Sequence, residues 1–170
     1  RATNLEALYL VGDFGVRLDG HRCVLTALPE TVGSGHLAEY GLPFYTDEIT
    51  YRLPLSAYAD VTVAEDERIW LSPVSFGGSL LKVKVGEKET YLCWDPYEAD
   101  VTDAVRNGLP IEVTVVGTRR NLFGPLHLLP PVVPAHGPNE FLTVGDAWSP
   151  NHALVNAGLT GVVLKREKAK

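Results

Sequence analysis

Five consecutive residues, Trp94-Asp95-Pro96-Tyr97-Glu98, place two aromatic rings and two carboxylates on one proline-containing stretch. That pairing suits carbohydrate. A sugar ring has apolar C–H faces that stack on Trp or Tyr, and its hydroxyls pair with polar side chains such as Asp, Asn and Arg. Beyond the next strand-like run stand Arg119, Asn121 and His127, which add polar groups if the fold brings their loop to the first one. The candidate carbohydrate-binding set is therefore Trp94, Tyr97, Arg119, Asn121 and His127. The competing reading has Trp94 and Tyr97 plugging the end of a folded layer and Asn121 bonding loop backbone, since aromatic residues are more often core than site.

Catalytic chemistry finds no comparable footing. The sequence holds no Gly-x-Ser-x-Gly, no His-Glu-x-x-His, no phosphate-binding Gly-rich loop with Lys, and no Cys-x-x-Cys. His21, His36, His127, His136 and His152 are scattered, so a metal site would require the fold to gather them. No catalytic residue, metal or cofactor is expected, and the chain reads as non-enzymatic. A glycosidase acid/base pair among the 21 carboxylates would be defined by spacing in three dimensions. Turn caps and solvated strand faces account for Asp and Glu more simply.

The formal net charge of -6 gives a surface that repels phosphate backbones, which argues against nucleic acid as a partner. Only Lys165-Arg166-Glu167-Lys168-Ala169-Lys170 is locally basic, and a solvated terminus is the expectation there. Runs such as Ala7–Val11 and Val162–Leu164 are far too short to cross a membrane. Cys23 and Cys93 sit in apolar runs without metal-like spacing, and they fix neither a disulfide nor a compartment. With no methionine and Arg1 at its start, the chain reads as one domain of 170 residues excised from a larger polypeptide.

The elements that must position the site are short strands. Phe14–Leu18 and His21–Leu25 flank Asp19-Gly20, which predicts a hairpin with positive φ at both central turn residues. Leu8–Val11 reads as a further strand, and Thr31–Gly41 as a loop. Ile49, Tyr51 and Leu53 share one face of a segment that Pro54 ends or places at an edge. Arg68–Leu71 is a short strand before Pro73, with Trp70 and Tyr51 as core candidates. Leu81–Val85 and Lys88–Leu92 form the clearest hairpin, turning at Gly86-Glu87 and burying Leu81, Val83 and Val85. Asp100 or Thr102 caps one short helical turn that Asn107-Gly108 ends. Ile111–Val116 and Leu159–Leu164 are the last strands; Pro125 to Pro138, with five prolines, is a long loop. Trp148 is an expected packing anchor for a neighbouring domain. The fold class is all-β, an antiparallel β-sandwich of jelly-roll type.

From Gly77 to Asn121 the order of short motifs resembles the galactose-binding-like jelly-roll domain of β-galactosidase-like glycoside hydrolases. The carriers are Leu81-Lys82-Val83-Lys84-Val85-Gly86, Trp94-Asp95-Pro96-Tyr97-Glu98, Asp100-Val101-Thr102, Asn107-Gly108 and Ile111-Glu112-Val113. Gly41-Leu42-Pro43-Phe44-Tyr45 and Asn121-Leu122-Phe123-Gly124-Pro125 resemble segments of accessory domains in large glycosidase-like bacterial proteins. Family members often carry Asn-Gly in the hairpin turn, where this chain has Gly86-Glu87. The resemblance implies a non-catalytic accessory domain whose partner is the catalytic domain of the parent chain, with oligosaccharide as a second partner. The alternatives are an autonomous carbohydrate-binding module, which predicts an exposed aromatic platform, and a small β-sandwich hydrolase or lyase. The last predicts convergent carboxylates or a gathered His cluster.

Overall fold

The structure, a computed structural model, describes residues 8–130, 137, 141 and 144–168. In chain order the strands are β1 (Gly15–Asp19), β2 (Arg22–Thr26), β3 (Glu48–Arg52), β4 (Glu67–Gly77) and β5 (Leu80–Val85). They continue with β6 (Lys88–Leu92), β7 (Ala99–Asp100), β8 (Ile111–Val116) and β9 (Gly158–Lys168). One sheet has the order β3-β8-β5-β6 and the other β7-β4-β9, while β1 and β2 form a separate hairpin. Every pairing is antiparallel. The protein is an all-β sandwich.

Period-two alternation builds its core. In β8, Ile111, Val113 and Val115 are buried while the intervening residues are not, and β5 does the same with Leu81 and Val83. These side chains join Ile69, Leu71 and Leu159 of the opposite sheet in one apolar cluster, closed by Tyr58, Val101, Ala104 and Val105. Each fully buried Leu, Ile or Val contributes about 1.5–3 kcal/mol. Tyr58, wholly buried, satisfies its polar end by donating to the Leu109 carbonyl at 2.7 Å.

The predicted β5–β6 hairpin forms around Gly86-Glu87, with Val85 paired to Lys88. Gly108 ends helix α1 (Thr102–Asn107) in the left-handed conformation, as the Asn-Gly step requires. β3 stops before Leu53-Pro54 and lies at the edge of its sheet.

Other expectations are corrected. Leu8–Val11 forms no strand; Leu8 and Val11 are almost wholly exposed and pair with nothing in a sheet. Ala7 lies outside the described residues. In the first hairpin Asp19 pairs with Arg22, so the central turn residues are Gly20-His21. Only Gly20 has positive φ, because that register gives His21 an ordinary backbone. Within Thr31–Gly41, Leu37–Tyr40 forms a 3₁₀ turn that buries Leu37. A second short helix, α2 (Arg120–Phe123), joins α1, with further 3₁₀ turns, where one helical turn was expected.

β4 runs straight through Pro73. Its partner β7 reaches only from Trp70 to Leu71, so at Pro73 one flank of β4 has no ladder and a missing N–H costs little. Trp70 is not in the core cluster: Ile69 and Leu71 point inward, and alternation turns Trp70 to the other face. Ala169-Lys170 lies outside the described residues, while Lys165–Lys168 is solvent-exposed as expected but is strand and not a free tail. It extends β9 along Glu67–Trp70, and Arg166 and Lys165 pair with Glu67 and Glu98.

Candidate functional site

The Cys93–Glu98 loop leaves β6, the edge of the four-stranded sheet, and enters β7, the edge of the three-stranded one. It therefore passes from the edge of one sheet to the edge of the other. Tyr97 anchors it. Its ring packs edge-on against Phe76 of β4, with centroids 5.1 Å apart, and borders the core cluster. With Tyr97 turned inward, Trp94 is left 76 % exposed. The sandwich is thus plugged by Tyr97 and not by Trp94.

Beside the loop is a groove of about 420 Å³, lined by Ser72, Pro73, Phe76, Asp95, Tyr97, Glu98 and Lys165 among others. Glu98 Oε1 accepts a hydrogen bond from Lys165 Nζ at 2.7 Å, and the Ser72 hydroxyl lies 3.3 Å from it. The same hydroxyl is 3.3 Å from the Tyr97 carbonyl, tying the loop to β4. The Lys165 hydrogen bond, aided by Ser72, holds the Glu98 carboxyl below the ordinary range. The groove thus presents a paired carboxylate and ammonium to solvent, and the exposed indole of Trp94 adjoins its lining residue Asp95 in the chain.

The remaining expected residues go elsewhere: neither Arg119, Asn121 nor His127 lines this groove. Arg119 is exposed at the start of α2. Asn121 is buried and clamps Val155, donating from Nδ2 to its carbonyl at 2.8 Å and accepting its N–H at 2.9 Å. His127 sets Nδ1 2.9 Å from the Ser149 carbonyl, stacks on Trp148, and lies 5.1 Å from the His152 ring. Trp148 stacks on His127 with one side and stays partly exposed on the other. Asn121→Ala would strand both backbone groups of Val155, and about 2 kcal/mol of stability is expected to go with it in urea titration. The exposed Trp94 should be indifferent to that change.

Sequence reading missed Ser72, Phe76 and Lys165. They reach the groove only through the pairing of β4 with β9, which no local pattern announces. It also missed a larger cleft of about 700 Å³ between the Leu28–Ser34 segment, β3 and β9, lined by Tyr45, Tyr51, Glu30 and Arg52 among mainly apolar neighbours. Several of that cleft's polar groups already have protein partners. The Tyr45 hydroxyl donates to the Glu48 carbonyl, the Tyr51 hydroxyl accepts from Leu159 N–H, and Arg52 pairs with Glu112. Unlike the Glu98–Lys165 groove, it has no exposed indole adjoining its lining in the chain.

No protein-family model, curated protein or solved structure matches this chain. The chemistry of the groove must therefore carry the functional reading. Among the described residues no group of three or more His, Cys, Asp or Glu is placed to hold a metal ion. His136 lies outside them.

Proposed function

We propose that this chain is a non-catalytic accessory β-sandwich domain of a glycoside-hydrolase-like protein, and that it holds an oligosaccharide on the Trp94–Glu98 loop. The observation that carries the reading is a largely exposed Trp94 followed directly by Asp95, Tyr97 and Glu98, which line a groove with Lys165. A lone exposed indole costs solvation without return, whereas a sugar face covers it while the neighbouring charged groups take the hydroxyls. The ordered motifs from Gly77 to Asn121 support the galactose-binding-like, jelly-roll form of the sandwich and its attachment to a hydrolase. Fold resemblance alone would not name a ligand.

In that setting the catalytic domain of the parent chain is the second partner. Support comes from the segment before β1, where Leu8, Leu10 and Val11 are exposed. A catalytic domain seated on this segment would cover apolar surface that the sandwich leaves open.

The test is a panel of plant and mucin glycans titrated into the protein, followed by intrinsic Trp fluorescence. Saturable binding is expected, weakened about tenfold or more by Trp94→Ala. Because the indole is exposed, the variant should keep its melting temperature, the cost of an exposed substitution being about 0.5 kcal/mol or less. Binding that survives Trp94→Ala unchanged would remove the ligand from this loop. A panel without any binder would leave only the docking role.

A further inference from the structure

A second chemical centre lies away from the Glu98–Lys165 groove, where the β1–β2 hairpin meets the 149–155 segment. There Cys23 Sγ stands 3.6 Å from His152 Nε2, in hydrogen-bond range for sulfur. The two residues are 129 positions apart in sequence, so the fold and not local chain geometry makes the contact.

The imidazole is held from several sides. The His127 ring lies 5.1 Å from it and the Phe44 ring 5.8 Å, both measured between centroids. Its backbone is fixed on either flank: Ala153 N–H bonds the Leu126 carbonyl, Ser149 N–H bonds the His127 carbonyl, and Asn121 clamps Val155. Nδ1 is sealed from solvent, which leaves Nε2 as the nitrogen facing the thiol. Burial lowers the His152 pKa against the opposing pull of a hydrogen bond with the Gly20 backbone, and the nearby His127 and His21 add to the lowering, which favours the neutral ring. A neutral ring can accept a proton. Cys23 itself is exposed on β2, so a small reagent can reach it.

We propose that Cys23 and His152 form a reactive thiol–imidazole pair, a modification site that captures low-molecular-weight disulfides as a mixed disulfide on Cys23. The step balances without another reactant. The Cys23 proton passes to His152 Nε2, and the sulfur attacks one sulfur of the incoming disulfide. The Cys23–S bond forms as the reagent's S–S bond breaks, and the departing thiolate recovers the proton from His152. No net oxidation of the pair of reactants occurs. One disulfide is exchanged for another.

The chain carries its own control. Cys93 is also exposed, yet it has no imidazole, ion pair or hydrogen bond beside it among the described residues. Accessibility is therefore shared by the two thiols, and the positioned base belongs to one of them.

The experiment measures both thiols in the same sample. The reduced protein is exposed to glutathione disulfide, and in parallel to iodoacetamide, and each cysteine is followed by peptide mapping over time. Cys23 is expected to react about tenfold faster than Cys93, in line with the lower range of general-base assistance. His152→Gln should bring the two rates together while leaving the Cys93 rate unchanged, which also reports that the sandwich is intact. A Cys23 rate no greater than that of Cys93 in the unaltered protein would overturn the proposal. So would a rate advantage that persists in a folded His152→Gln protein. If that variant loosens its loop, the rate ratio in the unaltered protein decides alone.

Discussion

Gly77→Ala is expected to cost about 3 kcal/mol, at the upper end of the usual range for forcing an extra methyl into a packed site. A Cβ at Gly77 would overlap the Asn156 carbonyl oxygen, sit 2.5 Å from its carbon, and approach Ala157 Cα to 2.9 Å. All three are backbone atoms, so no rotamer change relieves them. Relief must come from parting β4 and β9 where Gly77 pairs with Gly158. Gly158 cannot readily yield, because its φ is +101° and its own Cβ position meets the Gly35 carbonyl at 2.7 Å. Gly108→Ala is the contrast: it has φ of +62° and open space around it, so only the left-handed backbone resists, at about 1 kcal/mol. Urea unfolding of both variants measures the difference. Equal losses would mean that crowding at the β4–β9 end is not what Gly77 serves.

That crowded crossing also marks where sequence reading stops. Strands buried on one face announce themselves, and β5, β6 and β8 lie close to where alternation places them. Turn residues did almost as well, because Gly86 and Gly108 occupy the positions where positive φ is needed. Pro73 misled for a physical reason. Proline ends a strand only if its missing N–H is wanted, and β7 is too short to want it. Lys165–Lys168 is solvated as its charge suggests, but the strand there was not legible, since Glu98 and Glu67, which pair with Lys165 and Arg166, are distant in sequence.

For the site, the loop was legible and its surroundings were not. Trp94-Asp95-Pro96-Tyr97-Glu98 is a contiguous signal, so its chemistry can be read directly. Whether a ring faces water depends on which neighbour anchors the loop, and Phe76 takes Tyr97. Asn121 and His127 looked like ligand groups because Asn and His carry the same donors and acceptors whether they meet sugar or backbone. Here Asn121 closes on Val155 and His127 lies near the Ser149 carbonyl. The Cys23–His152 contact gave no sequence signal at all.

Thr102→Val should be the second large loss, at about 2 kcal/mol, from a buried amide left without its acceptor. Thr102 is buried, and its hydroxyl oxygen accepts the Ile69 N–H at 2.9 Å while its proton goes to Asp100 Oδ1. Asp100 also accepts the Thr102 N–H at 2.9 Å, so one Asp-x-Thr turn fastens the start of α1 to the core strand β4. Valine keeps the shape and removes the oxygen, whereas Thr102→Ser keeps the oxygen and is expected to lose less. Partial burial pushes the Asp100 carboxyl up. The hydrogen bonds from the Thr102 hydroxyl and N–H, with the charges of Arg68 and Lys88, outweigh it and hold the carboxyl below its ordinary value. A carboxyl depressed by folding adds stability above its unfolded value, and that stability is lost as the pH falls through the folded one. The unaltered protein should therefore weaken on acidification below the usual carboxylate range, with Glu98 contributing in the same sense. Thr102→Val removes the hydroxyl share of the Asp100 shift, so its stability should fall less steeply across that acid range. Urea midpoints taken from neutral pH downward would show it; parallel curves for the two proteins would mean that the Thr102 hydroxyl does not set the charge state of Asp100.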